Sequence, residues 1–217
     1  MQRIAFFGGS FDPPHRGHLA IATAAADRFA LDQVLFAPVA AQPLKRSATP
    51  FLHRYTMTVL ATQADPRFVP SLLDAPQAES QGPNYTVDTL VRLRASFAEE
   101  IELFTLLGAD SWLNIARWHE ASHLLTTSDW IVAARPGFLL AAAAQALPPG
   151  IVAEQDAVQA TLLLHHPGSR VTRVYFLRDT HEDISATALR NAYNHDVTLI
   201  PAPVRDYIRK TELYRER

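Results

Sequence analysis

Phe6-Phe7-Gly8-Gly9-Ser10-Phe11-Asp12-Pro13-Pro14-His15-Arg16-Gly17-His18-Leu19 is the stretch that decides the fold. It follows a short apolar strand signal over residues 3–7 and runs into a helical pattern over about 16–29. It therefore occupies the turn after the first strand of an α/β fold, where such folds bind ligands. Gly8 and Gly9 remove side chains where a backbone must approach something closely or take positive φ, and Ser10 adds a hydroxyl beside their N–H groups. This suits a phosphate. His15 and His18 are three apart, so near a helix start they share a face beside N–H groups that already favour an anion. Two imidazoles there can donate hydrogen bonds to phosphoryl oxygens. The three-glycine dinucleotide spacing is missing and no Gly-Lys-Ser/Thr follows, which excludes the two common phosphate loops. Two glycines alone would read as an ordinary turn with surface histidines; the whole stretch does not.

Working outward, residues 33–39 read as a second buried strand, and the Ala-rich helix before them completes a β-α-β unit with parallel pairing. Further strands are expected at 67–72, 101–107, 129–134 and 174–177. The run at 101–107 is almost continuously apolar, as a strand covered on both faces should be. Helices are expected over 50–64, carrying His53, Arg54 and Met57, and from Asn84, which could cap a helix with Asp88 in its first turn. The class is α/β, a Rossmann-like doubly wound parallel sheet with helices on both faces and a small C-terminal helical part. Trp112 and Trp130 read as core. Residues 138–173 suggest a surface helix and a hairpin-like insertion.

Composition bounds the function. The chain has 217 residues, 48% of them apolar and 19% charged, which suits one globular domain over 1–217. A net charge of −2 leaves no electrostatic footprint for nucleic acid or an anionic membrane. Cysteine is absent, so disulfides, thiolate metal sites and thiol nucleophiles are excluded. His165 and His166 are adjacent and would point to opposite faces of a strand, which argues against a metal site. The start of the chain lacks a secretory signal pattern, and the low-polarity run at 138–151 is broken by Pro148 and Pro149. A cytoplasmic protein is expected.

Later candidates fall at strand ends and helix starts. Asp110 follows the strand at 101–107 and could accept from ribose hydroxyls or cap a helix. Trp118 could stack on an aromatic ligand or sit in the core. Ser185 would cap a helix, with Thr187 in its first turn and Arg190 on the same face, able to clamp phosphate or simply to face solvent.

The run from Gly8 to Leu19 resembles the signature of the nucleotidyltransferase superfamily with the HxGH motif, whose members join a nucleotide's α-phosphate to a phosphate or carboxylate acceptor. Tyr85-Thr86, Gly108-Ala109-Asp110, Trp118, Arg135-Pro136-Gly137 and Ile184-Ser185-Ala186-Thr187-Ala188-Leu189-Arg190 narrow it to the bacterial nicotinate-nucleotide adenylyltransferases. The resemblance covers 1–137 and 174–217; the segment 184–217 then forms a C-terminal phosphate-binding helical part. It implies transfer of AMP from ATP to nicotinate mononucleotide, giving deamido-NAD and pyrophosphate. It implies His15, His18, Lys45 and Arg190 as catalytic residues, and Gly8, Gly9, Ser10, Arg135, Ser185 and Thr187 on ATP and its phosphates. Thr86, Asp110 and Trp118 would hold the nicotinate nucleotide. Magnesium would be bound mainly by phosphates and water, with no metal-ligating side chains. Two positions depart from the pattern: Asn84 stands where a serine is usual, and Ala186 replaces a second serine and removes one hydroxyl. Relatives acting on nicotinamide mononucleotide or phosphopantetheine, and a non-catalytic nucleotide sensor, are the alternatives; a homo-oligomer is left open.

Overall fold

The computed structural model describes residues 1–41, 49–76, 82–134, 138–156, 161–177 and 197–214. Eight strands form one sheet in the order β3-β2-β1-β4-β5-β8-β7-β6. They are β1 (Gln2–Gly9), β2 (Gln33–Pro38), β3 (Phe68–Pro70), β4 (Ile101–Gly108), β5 (Asp129–Ala133), β6 (Val152–Asp156), β7 (Thr161–His165) and β8 (Thr172–Leu177). The six from β3 to β8 in that order pair parallel, and β7 and β6 continue the sheet antiparallel. β1 lies between β2 and β4, so the chain proceeds to one side through β2 and β3, then returns past β1 to build the other side from β4. That reversal is the switch point at which open α/β sheets form a ligand crevice.

Strand alternation divides the core in two. On β1, Ile4 and Phe6 face one side and Ala5 and Phe7 the other, and all four are buried. On the second side lies α1 (Arg16–Phe29), whose Ala22, Ala25, Ala26 and Phe29 recur at helical spacing and let the helix lie close to the sheet. The first side takes α3 (Thr86–Ala95), α4 (Ala109–Trp112), α5 (Ala121–Thr127) and α6 (Leu140–Gln145). A smaller cluster joins Met57 and Ala61 of α2 (Phe51–Thr62) to Val204 and Ile208 of α7 (Ala202–Thr211). Trp112 and Trp130 are fully buried, edge to face at 5.7 Å, as core residues. Among the described residues no helix is long and apolar enough to cross a membrane.

The expected strand at 67–72 shortens to three residues, Phe68–Pro70, although the Ser71 N–H still donates to the Phe36 carbonyl of β2 at 2.8 Å. The larger revision concerns 138–173. Its helix and hairpin exist, but the hairpin extends the main sheet instead of lying on the surface. Leu162 and Leu164 are fully buried, and the Trp112 indole donates to the carbonyl of Ala143 at 3.0 Å. Gly168, at φ 69, supplies the left-handed turn that brings β8 back beside β7. Only β6, at the sheet edge, is largely exposed. Leu164→Ala should therefore lower the unfolding free energy by about 2–5 kcal/mol in urea denaturation, as a core truncation does. Val152→Ala, at a position 66% exposed on β6, should change it by less than about 0.5 kcal/mol.

Candidate active site

The turn after β1 is shaped by aromatic rings. A Cβ at Gly8 would lie 2.8 Å from the Phe6 ring, and one at Gly9 would lie 3.3 Å from the Phe11 ring. Neither glycine has positive φ; both belong to the extended end of β1. Their role is thus to leave room for Phe6 and Phe11, and the left-handed residue expected among the glycines is Phe11 itself, at φ 45. A non-glycine residue held there costs about 1–3 kcal/mol and persists only where its surroundings over-determine it. They do so here. The Phe11 ring is buried edge-on against Phe7 at 5.5 Å and His18 at 5.1 Å, and tilted on Phe36 at 5.6 Å.

Arg54 of α2 supplies the polar half of that support, and sequence reasoning gave it no role. The side chain is 1% exposed; Nε donates to the Thr49 carbonyl at 3.0 Å and Nη1 to the Ser10 carbonyl at 2.8 Å. Burial lowers its pKa from the ordinary value, and the neighbouring Asp12 and Tyr214 act against that shift. A guanidinium stays protonated under such pressure, so a fixed positive charge sits directly beneath the turn. The signal available in the sequence was the His53-Arg54 pair opening the helix. The Ser10 hydroxyl has no hydrogen-bond partner among the described residues.

His15 is the N-cap of α1, with extended backbone, and its side chain is 5% exposed. Its N–H donates to Nδ1 of His18 at 3.2 Å, while its carbonyl accepts from the N–H of His18 at 3.0 Å. The two rings stack with centroids 3.6 Å apart and planes 28° from parallel. Since His18 Nδ1 accepts a hydrogen bond, the ring proton of the neutral form resides on Nε2. Burial pushes His15 down to about 4, and burial plus the adjacent His15 pushes His18 well below its ordinary value. The pair therefore stands as two uncharged rings at neutral pH. The His15 ring faces the backbone N–H of His18 as the other half of a capping box, and its buried Nδ1 makes no regular hydrogen bond.

The second group of candidates gathers at the ends of β2 and β4. Asn84 does not cap α3; its Oδ1 accepts from the Ala41 N–H at 3.1 Å, and its own N–H donates back to the Ala41 carbonyl. The cap position belongs to Tyr85, whose ring stacks on His119 at 4.0 Å. That contact sets the helix start carrying Thr86 beside the segment carrying Trp118, which is half-buried against the core. Tyr85 and His119 form an aromatic pair that sequence reasoning missed, although His119 directly follows Trp118. Asp110 is exposed in the first turn of α4, at the carboxyl end of β4 next to β1, and Gly108 takes the cap position there. Beneath this group, buried Asp74 accepts from the Thr89 hydroxyl and anchors α3, its carboxyl pushed up by burial. Lys45, Arg135, Ser185, Ala186, Thr187 and Arg190 lie outside the described residues.

No group of three side chains able to hold a metal occurs among the described residues. The carboxylate of the turn, Asp12, already accepts from the Tyr214 hydroxyl at 2.6 Å and the Thr49 N–H at 3.3 Å.

The cytidylyltransferase-like family model matches residues 6–192. A probable nicotinate-nucleotide adenylyltransferase of Moorella thermoacetica is 34% identical over 220 residues, covering 99% of this chain and 93% of that protein. A protein of the same designation from Thermus thermophilus is 42% identical over 152 residues, covering 70% of this chain and 80% of its own. Among solved structures, the Plasmodium falciparum nicotinic acid mononucleotide adenylyltransferase complexed with NaAD superposes with a TM-score of 0.73. That likeness covers 99% of this chain and 98% of the other at 18% identity, so it bears on the fold alone. With its HxGH turn at the switch point of a doubly wound sheet, the chain belongs to the cytidylyltransferase-like nucleotidyltransferases, among the nicotinate-nucleotide adenylyltransferases.

Proposed function

We propose that this protein transfers AMP from ATP to nicotinate mononucleotide, giving deamido-NAD and pyrophosphate in NAD biosynthesis, as a cytoplasmic enzyme. The observation that carries this reading is the stacked, uncharged His15–His18 pair held at the carboxyl end of β1 above the buried charge of Arg54.

The acceptor's phosphate is mostly dianionic near pH 7, since its second pKa is about 6. One of its oxygens attacks the α-phosphorus in line; the new P–O bond forms as the bond to the β-phosphate's bridging oxygen breaks, and pyrophosphate leaves. No proton must be removed from the nucleophile, and no covalent enzyme intermediate is needed. His18 donates from Nε2 to a non-bridging α-phosphoryl oxygen, and the positive charge of Arg54 and the α1 N-terminus favour the charge that accumulates there. Gly8, Gly9 and Ser10 border that position, with the Ser10 hydroxyl as a further donor. Lys45, Arg135, Ser185, Thr187 and Arg190 would bind the triphosphate and the leaving pyrophosphate. Thr86, Asp110 and Trp118 would receive the nicotinate nucleotide, with Trp118 stacking on the pyridine ring. The carboxylate of Asp12 accepts from the Thr49 N–H and the Tyr214 hydroxyl. Magnesium belongs to this reading as the ion bound to the ATP phosphates and water.

Pyrophosphate release from ATP and Mg²⁺ should be strong with nicotinate mononucleotide and weak with nicotinamide mononucleotide or phosphopantetheine. A preference for either of the others would reassign the acceptor; ATP binding without turnover would make the protein a sensor. His18→Ala should lower kcat by about a hundredfold or more while changing ATP binding little, as removal of a transition-state donor does, and near-normal turnover would remove His18 from this role. The pH profile tests the charge state. Both histidine pKa values are lowered, so the neutral donor form is lost only as pH falls through those lowered values. Turnover should hold level from about pH 7 to about pH 8.5, where a histidine acting as imidazolium would lose activity.

A further inference from the structure

We propose that Tyr214 is a positioning residue for the transfer reaction: its hydroxyl, acting through the Asp12 carboxylate, holds residues 10–15 in the conformation that presents His15 and His18. The inference rests on the function proposed above.

Asp12 lies between the left-handed Phe11 and the N-cap His15, and its side chain is 1% exposed. A carboxylate buried so completely requires donors. The Tyr214 hydroxyl meets Oδ1 at 2.6 Å, across 202 residues of sequence, while the Thr49 N–H meets Oδ2 at the longer distance of 3.3 Å. The C-terminal segment is shaped to deliver that hydroxyl. Val204 and Ile208 seat α7 against Met57 and Ala61 of α2, the helix from which Arg54 reaches Ser10. After the helix, Glu212 and Tyr214 both adopt left-handed backbone, at φ 56 and φ 63, and the Leu213 N–H closes back onto the Ile208 carbonyl at 3.2 Å. Two left-handed residues other than glycine in three positions reverse the chain tightly and send the Tyr214 ring toward the turn. The same segment is tied down elsewhere by Arg16, whose Nε donates to the Thr198 carbonyl at 2.9 Å, and by Tyr207, whose hydroxyl lies 2.8 Å from His53 Nδ1. Of these ties, the one from Tyr214 ends on the buried carboxylate of Asp12, while that from Arg16 ends on an exposed side chain.

The test compares wild type with Tyr214→Phe, Tyr207→Phe, Asp12→Asn and the Tyr214→Phe/Asp12→Asn double variant, assayed below the lowest melting midpoint. Tyr214→Phe should lower kcat by about tenfold with both KM values within about twofold, because it removes a hydrogen bond to a buried charge without touching substrate. Tyr207→Phe removes a hydroxyl from the same C-terminal segment without reaching Asp12, and should keep its kcat even where its melting midpoint falls as far. Asp12→Asn should lower kcat at least as much, and adding Tyr214→Phe should lower it little further, since both act on one contact. Tyr214→Phe with wild-type kcat, or the two tyrosine variants losing activity in step with their melting midpoints, would overturn the inference. A wild type silent with every acceptor overturns the function proposed above; an active wild type with either of those results overturns the positioning role alone.

Discussion

Arg54 donates from the interior of the molecule to the carbonyl of Ser10, 44 residues earlier in the chain, and the turn after β1 depends on that hydrogen bond. A guanidinium taken out of water is costly unless its donors are met, and here the Thr49 and Ser10 carbonyls meet them while Asp12 lies close enough to offset part of the charge. Burying the cation beneath the turn serves two ends at once. It fixes the course of a backbone that contains a left-handed phenylalanine, and it leaves positive charge where the proposed reaction would bring an anionic substrate.

The histidines depend on the same enclosure. Phe7, Phe11 and Phe36 wall the base of the crevice, and His18 packs edge-on to the first two. Burial in that setting disfavours a proton on either ring, and the stacked His15 disfavours one on His18 further. The outcome is a pair of oriented dipoles with little charge of their own. In the proposed reaction such donors would not need to reorganise as charge moves, which is the condition for electrostatic stabilisation of a transition state.

Much of the architecture was legible from local pattern. The apolar run of β4 announces a strand covered on both faces, and the alanines of α1 announce a helix lying close to a sheet. Those features depend on neighbours a few residues away. The glycines were read for the right location and a different cause: Gly8 and Gly9 make room for rings, and the unusual backbone angle sits two residues beyond Gly9. The hairpin of β6 and β7 was visible as a hairpin, but its place in the core was not. Whether Leu162 and Leu164 face solvent or protein depends on their pairing with β8 and on the helices beneath.

By itself the sequence determined the strand–turn–helix with two histidines on one helix face, the parallel α/β class, and membership in a nucleotidyltransferase family, because spacing, periodicity and a contiguous motif suffice for each. Tertiary structure alone decided that Arg54 underlies the turn, that Tyr85 stacks on His119, that Asn84 pins residue 41, and that Tyr214 reaches Asp12. Each of these is a contact between residues distant in the chain. Such contacts exist only once the sheet order and the packing of α2 against α7 have set the distances, and no local pattern encodes them.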